Sequence, residues 1–211
     1  MVRCVRADRP PNIWGGRQSL TVGLLGGSFN PAHDGHRHVA ESALRLLGLD
    51  QVWLLVSPQN PLKSRSGMAP VEQRLSSARQ SVADHPRLIA TDLEQALGTR
   101  YTADTLAALR RRFPLIRFVW LMGADNLHQM SLWRRWAAIF GTVPVAILAR
   151  SPYSLTALAS VAARRFARFR LPSSAARGLS RRRPPAWVYL HTSLHPASST
   201  AIRSAQRDER T

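Results

Sequence analysis

The chain has 211 residues, 45% of them hydrophobic, which suits one well-filled domain and argues against disorder. Its single cysteine, Cys4, excludes an intramolecular disulfide and a multi-cysteine metal site, and no apolar run approaches the ~18 residues of a membrane span. Thirty basic against twelve acidic side chains give a formal net charge of +18, which points to anions as partners: nucleic acid, an anionic surface or polyanionic small substrates.

Residues 1–19 mix arginine, proline and glycine without periodicity and read as a loose N-terminal extension. Their arginines have no apolar h-region behind them, so no secretory signal is expected and the expected location is the cytoplasm. Residues 20–211 form the expected single domain. Leu20 to Leu25 reads as a buried strand, and Val39, Ala40, Ala43, Leu44 and Leu47 are spaced as one face of a helix. Gln51 to Val56 is a second short strand, ending in a loop at 57–63 whose prolines forbid a helix. Val71, Leu75, Ala78 and Val82 mark the next helix, Arg87 to Thr91 a third strand, and Thr102 to Arg112 a further helix. Arg117 to Met122 is the fourth strand and runs into Gly123-Ala124-Asp125-Asn126. Two short helical pieces follow, the second containing Trp133 and Trp136. A fifth strand is expected over Val143 to Leu148, a basic helix over Leu155 to Phe169, a sixth strand over Ala186 to His191 and a short helix from about Ser199. Residues 171–185, basic and proline-containing with no core pattern, read as a solvated surface loop. The alternation predicts a Rossmann-like, doubly wound α/β domain with a mostly parallel sheet, whose ligands bind beyond the carboxyl ends of the strands. The loops at 26–36, 57–63 and 123–126 all belong there.

The most informative of them is Gly26-Gly27-Ser28-Phe29-Asn30-Pro31-Ala32-His33-Asp34-Gly35-His36. It leaves a strand and enters a helix, where unpaired backbone N–H groups and the positive end of the helix dipole favour an anion. Gly26 and Gly27 have no Cβ to obstruct a phosphate, and His33 and His36, three residues apart, can face the same anion. Neither a G-x-G-x-x-G fingerprint nor a G-K-[ST] phosphate loop is present. Near the C-terminus, Ser198-Ser199-Thr200-Ala201-Ile202-Arg203 combines capping hydroxyls with an arginine in the first helical turn, a second candidate anion site. Lys63 is the only lysine in a chain that otherwise uses arginine.

His33-Asp34-Gly35-His36 resembles the (H/T)-x-G-H motif of the nucleotidyltransferases, and the serine-threonine stretch resembles their I-S-S-T-x-I-R signature, with Ala197 in place of the isoleucine. Ser57-Pro58-Gln59-Asn60-Pro61-Leu62-Lys63, Arg100-Tyr101-Thr102-Ala103-Asp104-Thr105-Leu106 and Gly123-Ala124-Asp125-Asn126 with Trp133 narrow the resemblance to the bacterial nicotinate-nucleotide adenylyltransferases. The match runs in family order from about residue 20 to 207, and Ser28 and Asn30 replace the threonine and aspartate of many members.

That resemblance implies transfer of the adenylyl group of ATP to nicotinate mononucleotide, giving deamido-NAD and pyrophosphate in NAD biosynthesis. It implies His33, His36 and Lys63 as catalytic residues. It implies ATP binding by Gly26, Gly27, Ser28, Phe29, Gly123, Asp125, Ser198, Ser199, Thr200 and Arg203. Nicotinate mononucleotide would meet Asn60, Tyr101, Thr102, Asp125 and Trp133, with the Trp133 indole stacked on the pyridine ring. Mg²⁺ would be the cofactor, held mainly by ATP phosphates rather than by protein ligands. Read from the residues alone, a plain helix cap is the favoured reading of Thr102, and Trp133 has the alternative of a core residue sharing a helical face with Trp136. Two other functions fit parts of the pattern. One is the same chemistry on nicotinamide mononucleotide or phosphopantetheine. The other is an RNA-binding protein built on the excess of arginine, although the number and order of the motifs favour an enzyme with no nucleic-acid or membrane partner.

Overall fold

The computed structural model describes residues 11–12, 15–58, 67–149, 154–192 and 199. Seven strands form one sheet in the order β3-β2-β1-β4-β5-β7-β6, with every neighbouring pair parallel. They are β1 (Thr21–Gly27), β2 (Gln51–Val56), β3 (Leu88–Thr91), β4 (Arg117–Gly123), β5 (Val145–Ala149), β6 (Arg170–Leu171) and β7 (Trp187–His191). A parallel sheet is buried on both faces, which is why β2 and β5 are unbroken apolar or buried runs rather than alternating ones.

Successive side chains leave a strand on opposite faces, and the core divides accordingly. Val22 and Leu24 of β1 face one side with Trp53 and Leu55. There they meet Leu106 and Leu109 of α4 (Thr102–Arg112) and Ile139 and Phe140 of α6 (Trp136–Thr142). Leu25 faces the other side with Leu54. That side is covered by α1 (Asp34–Leu47), through Val39, Ala43 and Leu47, and by α2 (Val71–Ser81), through Leu75 and Ala78. The α1 stripe is the one its spacing predicts, and Gly48 ends the helix in the left-handed conformation (φ 63°), its N–H donating to the Leu44 carbonyl.

The chain lays β1, β2 and β3 outward in one direction, then returns to place β4 on the other side of β1. Between β1 and β4 the crossovers therefore run in opposite directions, and a crevice opens at the carboxyl ends of these two strands. Leu25 pairs with Leu121, so the turns that follow β1 and β4 leave the sheet side by side.

Three expectations change. The helix over 155–169 is broken into α7 (Ser154–Leu158), α8 (Val161–Arg165) and a 3₁₀ turn, Ala167–Phe169. Ser160 is extended, and its Oγ accepts from the Ala163 N–H (3.3 Å), so a serine cap starts a new helix inside an apolar pattern. Trp133 and Trp136 do not share a helix: α5 (Ala124–Gln129) and a 3₁₀ turn (Met130–Leu132) precede an extended Trp133, and a left-handed Arg135 (φ 54°) separates it from α6. Within 171–185, Ser173–Arg181 is a 3₁₀ helix whose Ala176 and Leu179 are buried against the α1 side of the sheet, while Arg177, Arg181, Arg182 and Arg183 are exposed. The two-residue β6 beside it was not expected either. The sixth expected strand is β7, and the helix expected near Ser199 lies, apart from Ser199 itself, outside the described residues.

Candidate active site

The crevice between β1 and β4 collects the histidine turn on one side and the Gly123 turn on the other. His33 is the N-cap of α1 and is buried; its Nδ1 accepts from the Gly35 N–H (3.1 Å). His36, at the third helical position, accepts the His33 N–H through its own Nδ1 (3.3 Å). This is a reciprocal capping box built from two imidazoles. An Nδ1 that accepts a hydrogen bond carries no proton, so each ring is a neutral imidazole with its proton on Nε2. The rings lie 3.9 Å apart, and the Phe29 ring lies 4.8 Å from His36.

Phe29 adopts the left-handed conformation (φ 48°), which costs a non-glycine residue on the order of 1–3 kcal/mol. Its fully packed ring holds it there: a Cβ on Gly27 would stand 3.1 Å from that ring. Gly26 has a different reason to be glycine from the one its sequence suggests. A Cβ there would fall 2.4 Å from Cη2 of Trp120, so the missing side chain makes room for an indole of β4.

Among the described residues, three buried polar atoms near this end of the sheet have no hydrogen-bond partner: Ser28 Oγ, Trp120 Nε1 and Asp125 Oδ1. Unpaired buried polar atoms are rare, and ligand or water normally satisfies them. Gly123 is the extended N-cap residue of α5, and Asp125 lies in that helix's first turn.

From the C-terminal signature only Ser199 is described, and its Oγ donates to the Pro31 carbonyl (3.1 Å). A residue 168 positions away in sequence is thereby seated on the histidine turn. Lys63, Asn60, Ser198, Thr200 and Arg203 lie outside the described residues.

On the opposite face, α4 begins after an extended Tyr101, and no side chain caps it. Thr102 is its first residue, not its cap; the Asp104 and Thr105 N–H groups donate to the Tyr101 carbonyl (2.9 and 3.0 Å), and the N–H groups of Thr102 and Ala103 precede the first intrahelical bonds. Arg134 lies over the Tyr101 ring, 4.7 Å from its centroid, and Arg135 Nη1 bonds Asp104 Oδ1 at 2.8 Å. These two contacts bring the segment carrying half-buried Trp133 against the start of α4.

Two residues of the site region escaped the sequence reading. Arg74 of α2 is buried, and its guanidinium donates to four backbone carbonyls: Ala69 from Nε (2.9 Å), Ser28 and Ser57 from Nη1 (2.7 Å each), and Pro58 from Nη2 (2.9 Å). Burial pushes this guanidinium below its ordinary value, while the nearby Glu72 charge holds it up. Its only sequence signal is position: three residues after Val71 and next to Leu75, it falls on the apolar stripe of α2. Glu94 of α3 (Leu93–Ala96) is buried and accepts from Thr105 Oγ1 at 3.2 Å. Burial pushes its carboxyl up to about 7, partly offset by that hydrogen bond.

Among the described residues there is no group of three or more His, Cys, Asp or Glu side chains able to hold a metal ion, and no helix long and apolar enough to cross a membrane.

Comparison with known proteins agrees with this arrangement. Residues 24–205 match the family model described as cytidylyltransferase-like. A Cereibacter sphaeroides protein named "Probable nicotinate-nucleotide adenylyltransferase" is 52% identical over 188 residues, covering 89% of this chain and 98% of its own. A Parvibaculum lavamentivorans protein of the same name is 54% identical over 184 residues, covering 87% and 91%. Among solved structures, the Plasmodium falciparum nicotinic acid mononucleotide adenylyltransferase complexed with NaAD superposes with a TM-score of 0.66 over 88% of this chain and 83% of that one. At 15% identity that likeness establishes the shared fold. Identity of 52–54% to the bacterial proteins over 87–89% of the chain makes it a member of the nicotinate-nucleotide adenylyltransferases, within the cytidylyltransferase-like family.

Proposed function

We propose that the protein transfers the adenylyl group of ATP to nicotinate mononucleotide in the cytoplasm, where ATP is available, releasing deamido-NAD and pyrophosphate as a step of NAD biosynthesis. The observation that carries this reading is the seating of Ser199 on Pro31, which joins the C-terminal hydroxyl signature to the histidine turn. That contact supports a reading in which two anion-binding stretches, remote in sequence, serve one polyphosphate.

In the reaction an oxygen of the acceptor's phosphate attacks the α-phosphorus of ATP in line. The bond from that phosphorus to the oxygen bridging to the β-phosphate breaks, and pyrophosphate leaves with the electron pair. The nucleophile is already ionised, so the protein needs no general base; positioning and charge stabilisation carry the rate. His33 and His36 serve as Nε2–H donors to phosphate oxygens, their Nδ1 atoms held by the backbone of α1. Lys63 adds a point charge at the reacting phosphates, and Ser198, Ser199, Thr200 and Arg203 grip the departing pyrophosphate. Gly26, Gly27, Ser28, Phe29 and Gly123 line the nucleotide's path along the two turns. The orphan Oδ1 of Asp125 suits a ribose hydroxyl. The uncapped start of α4 at Tyr101 and Thr102 suits the nicotinate carboxylate, Trp133 its pyridine ring, and Asn60 completes the acceptor side.

Mg²⁺ is the proposed cofactor. This ion favours phosphate oxygens and water over an all-protein cage, so the triphosphate would bring its own ligands. When bound, it neutralises charge on the phosphate oxygens.

The test is pyrophosphate release from ATP and Mg²⁺ with nicotinate mononucleotide, nicotinamide mononucleotide, phosphopantetheine or no acceptor. Release with nicotinate mononucleotide alone, with deamido-NAD as product, is expected. Preference for another acceptor would remove Thr102 and Trp133 from their assigned roles. Silence with all four, with tight salt-sensitive binding of RNA, would replace the enzyme reading.

A further inference from the structure

Arg74 is an uncommon arrangement: a guanidinium only 2% exposed that makes no ion pair among the described residues and spends its donors on four carbonyls from three chain segments. Arginine is almost never fully buried unless paired with an anion. Carbonyl dipoles satisfy its hydrogen bonds yet carry no net charge to cancel its own; among the described residues Glu72 is the acidic side chain whose charge acts on it. That charge lies directly behind the turn after β1. A second tie runs in parallel. Asn30 Nδ2 donates to the Gly67 carbonyl (2.9 Å), and its Oδ1 accepts from the Ala69 N–H (3.1 Å). The histidine turn is therefore fastened both to the end of β2 at Ser57–Pro58 and to the lead-in of α2 at Gly67–Ala69.

The peptide linking Ser28 to Phe29 is planar, so its C=O and N–H point in opposite directions. With the Ser28 carbonyl held by Nη1, the Phe29 N–H is fixed pointing away from the guanidinium. Phe29 is also the residue in the left-handed conformation. A neutral staple such as glutamine could reach at most some of these carbonyls. A cation additionally polarises the peptide so that its N–H end is more positive, and raises the potential on the turn's outer side.

We infer that Arg74 is a positioning residue for the triphosphate: from behind the turn it fixes the orientation of the Ser28–Phe29 peptide and supplies a positive charge, in no ion pair among the described residues, that favours polyphosphate binding without touching it. This rests on the reading of that turn as the ATP site, and it separates into a hydrogen-bonding part and a charge part.

The experiment compares wild type with R74Q and R74K, well below each protein's melting temperature. It reads steady-state KM and kcat together with calorimetric binding of a non-hydrolysable ATP analogue with Mg²⁺. R74Q is expected to raise the KM for ATP and the analogue's Kd at least tenfold, with the acceptor's KM within twofold of wild type. R74K, which restores the charge but not the fork, is expected to recover most of that affinity while melting below wild type. Equal effects of R74Q and R74K on ATP, or lowered melting temperatures with unchanged ATP parameters, would reduce Arg74 to a structural staple and overturn the inference. If neither variant folds, hydrogen exchange of the wild type decides: protection by the analogue must extend to 69–74, and protection confined to 26–36 overturns it. Analogue binding does not depend on the acceptor. A wild type that binds the analogue but reacts with no acceptor refutes the proposed reaction and leaves Arg74 standing; a wild type that binds no analogue refutes both.

Discussion

On the proposed mechanism each histidine of the turn has two tasks, one for each ring nitrogen. Nδ1 of His33 and of His36 is committed to the backbone of α1, so only the Nε2 side has chemistry to offer a phosphate. Asparagine places an acceptor where Nδ1 sits but has nothing at Nε2. His33→Asn is therefore expected to keep the cap, melting within about 2 °C of wild type, while kcat falls by at least tenfold. His33→Ala loses both, and the missing cap lowers stability by about 1 kcal/mol, or about 2–4 °C in a domain of this size. Thermal denaturation beside steady-state kinetics checks this, and wild-type turnover in His33→Asn would remove His33 from the reaction. The sequence made the histidines visible because they sit in a glycine-rich turn before an apolar helical stripe. It hid the neutral tautomer, which depends on backbone bonds. It also hid Arg74, since an arginine in a helix of an arginine-rich chain reads as surface, and it suggested the wrong neighbour for Gly26, whose contact with Trp120 crosses between strands.

Among elements, the short α3 and the longer α4 are joined through one carboxyl. Thr105 Oγ1 donates to Glu94, Thr105 Oγ1 and Thr99 Oγ1 lie 2.9 Å apart, and Thr99 N–H donates to the Glu94 carbonyl oxygen (3.1 Å). The Glu94 carboxyl is raised from 4.5 to about 7 by burial. The folded state therefore holds this proton more tightly than the unfolded chain. Its contribution to stability is intact below about 4.5, declines as pH rises to about 7 and is flat above. Glu94→Gln keeps an acceptor for Thr105 and abolishes the decline. The variant is expected to match wild type near pH 4.5 and to exceed it at pH 8 by at most about 3 kcal/mol. Urea denaturation across that range reads the difference, and parallel curves for the two proteins would contradict a raised Glu94. Element prediction succeeded where an unbroken apolar run or a single period dominated, as in β2 for the first and α1 and α4 for the second. It failed where a local cap interrupted the period at Ser160, and where i, i+3 spacing of Ala176 and Leu179 lay hidden among arginines.

At the scale of the whole molecule, charge and topology act together. The strand order places the turns after β1 and β4 at the crevice where crossovers reverse, in a chain whose formal net charge is +18. From Asn126 to Arg207 the sequence contains no aspartate or glutamate. Such a field draws polyanionic substrates in from a distance. Raising KCl from about 0.1 M to about 1 M shortens the screening length from about 10 Å to about 3 Å, so the KM for ATP is expected to rise several-fold at fixed free Mg²⁺ while kcat changes little. A flat KM would show that the excess charge serves something other than substrate capture. The sheet's two borders have a separate consequence. β3 ends it with four residues and β6 with two, the latter bearing the exposed Arg170. A neighbouring chain seeking to extend the ladder finds, among the described residues, too few rungs to nucleate on, so edge-to-edge stacking into fibrils is disfavoured by construction. Despite a core rich in aggregation-prone apolar strands, this architecture keeps its stickiest template sealed in the middle.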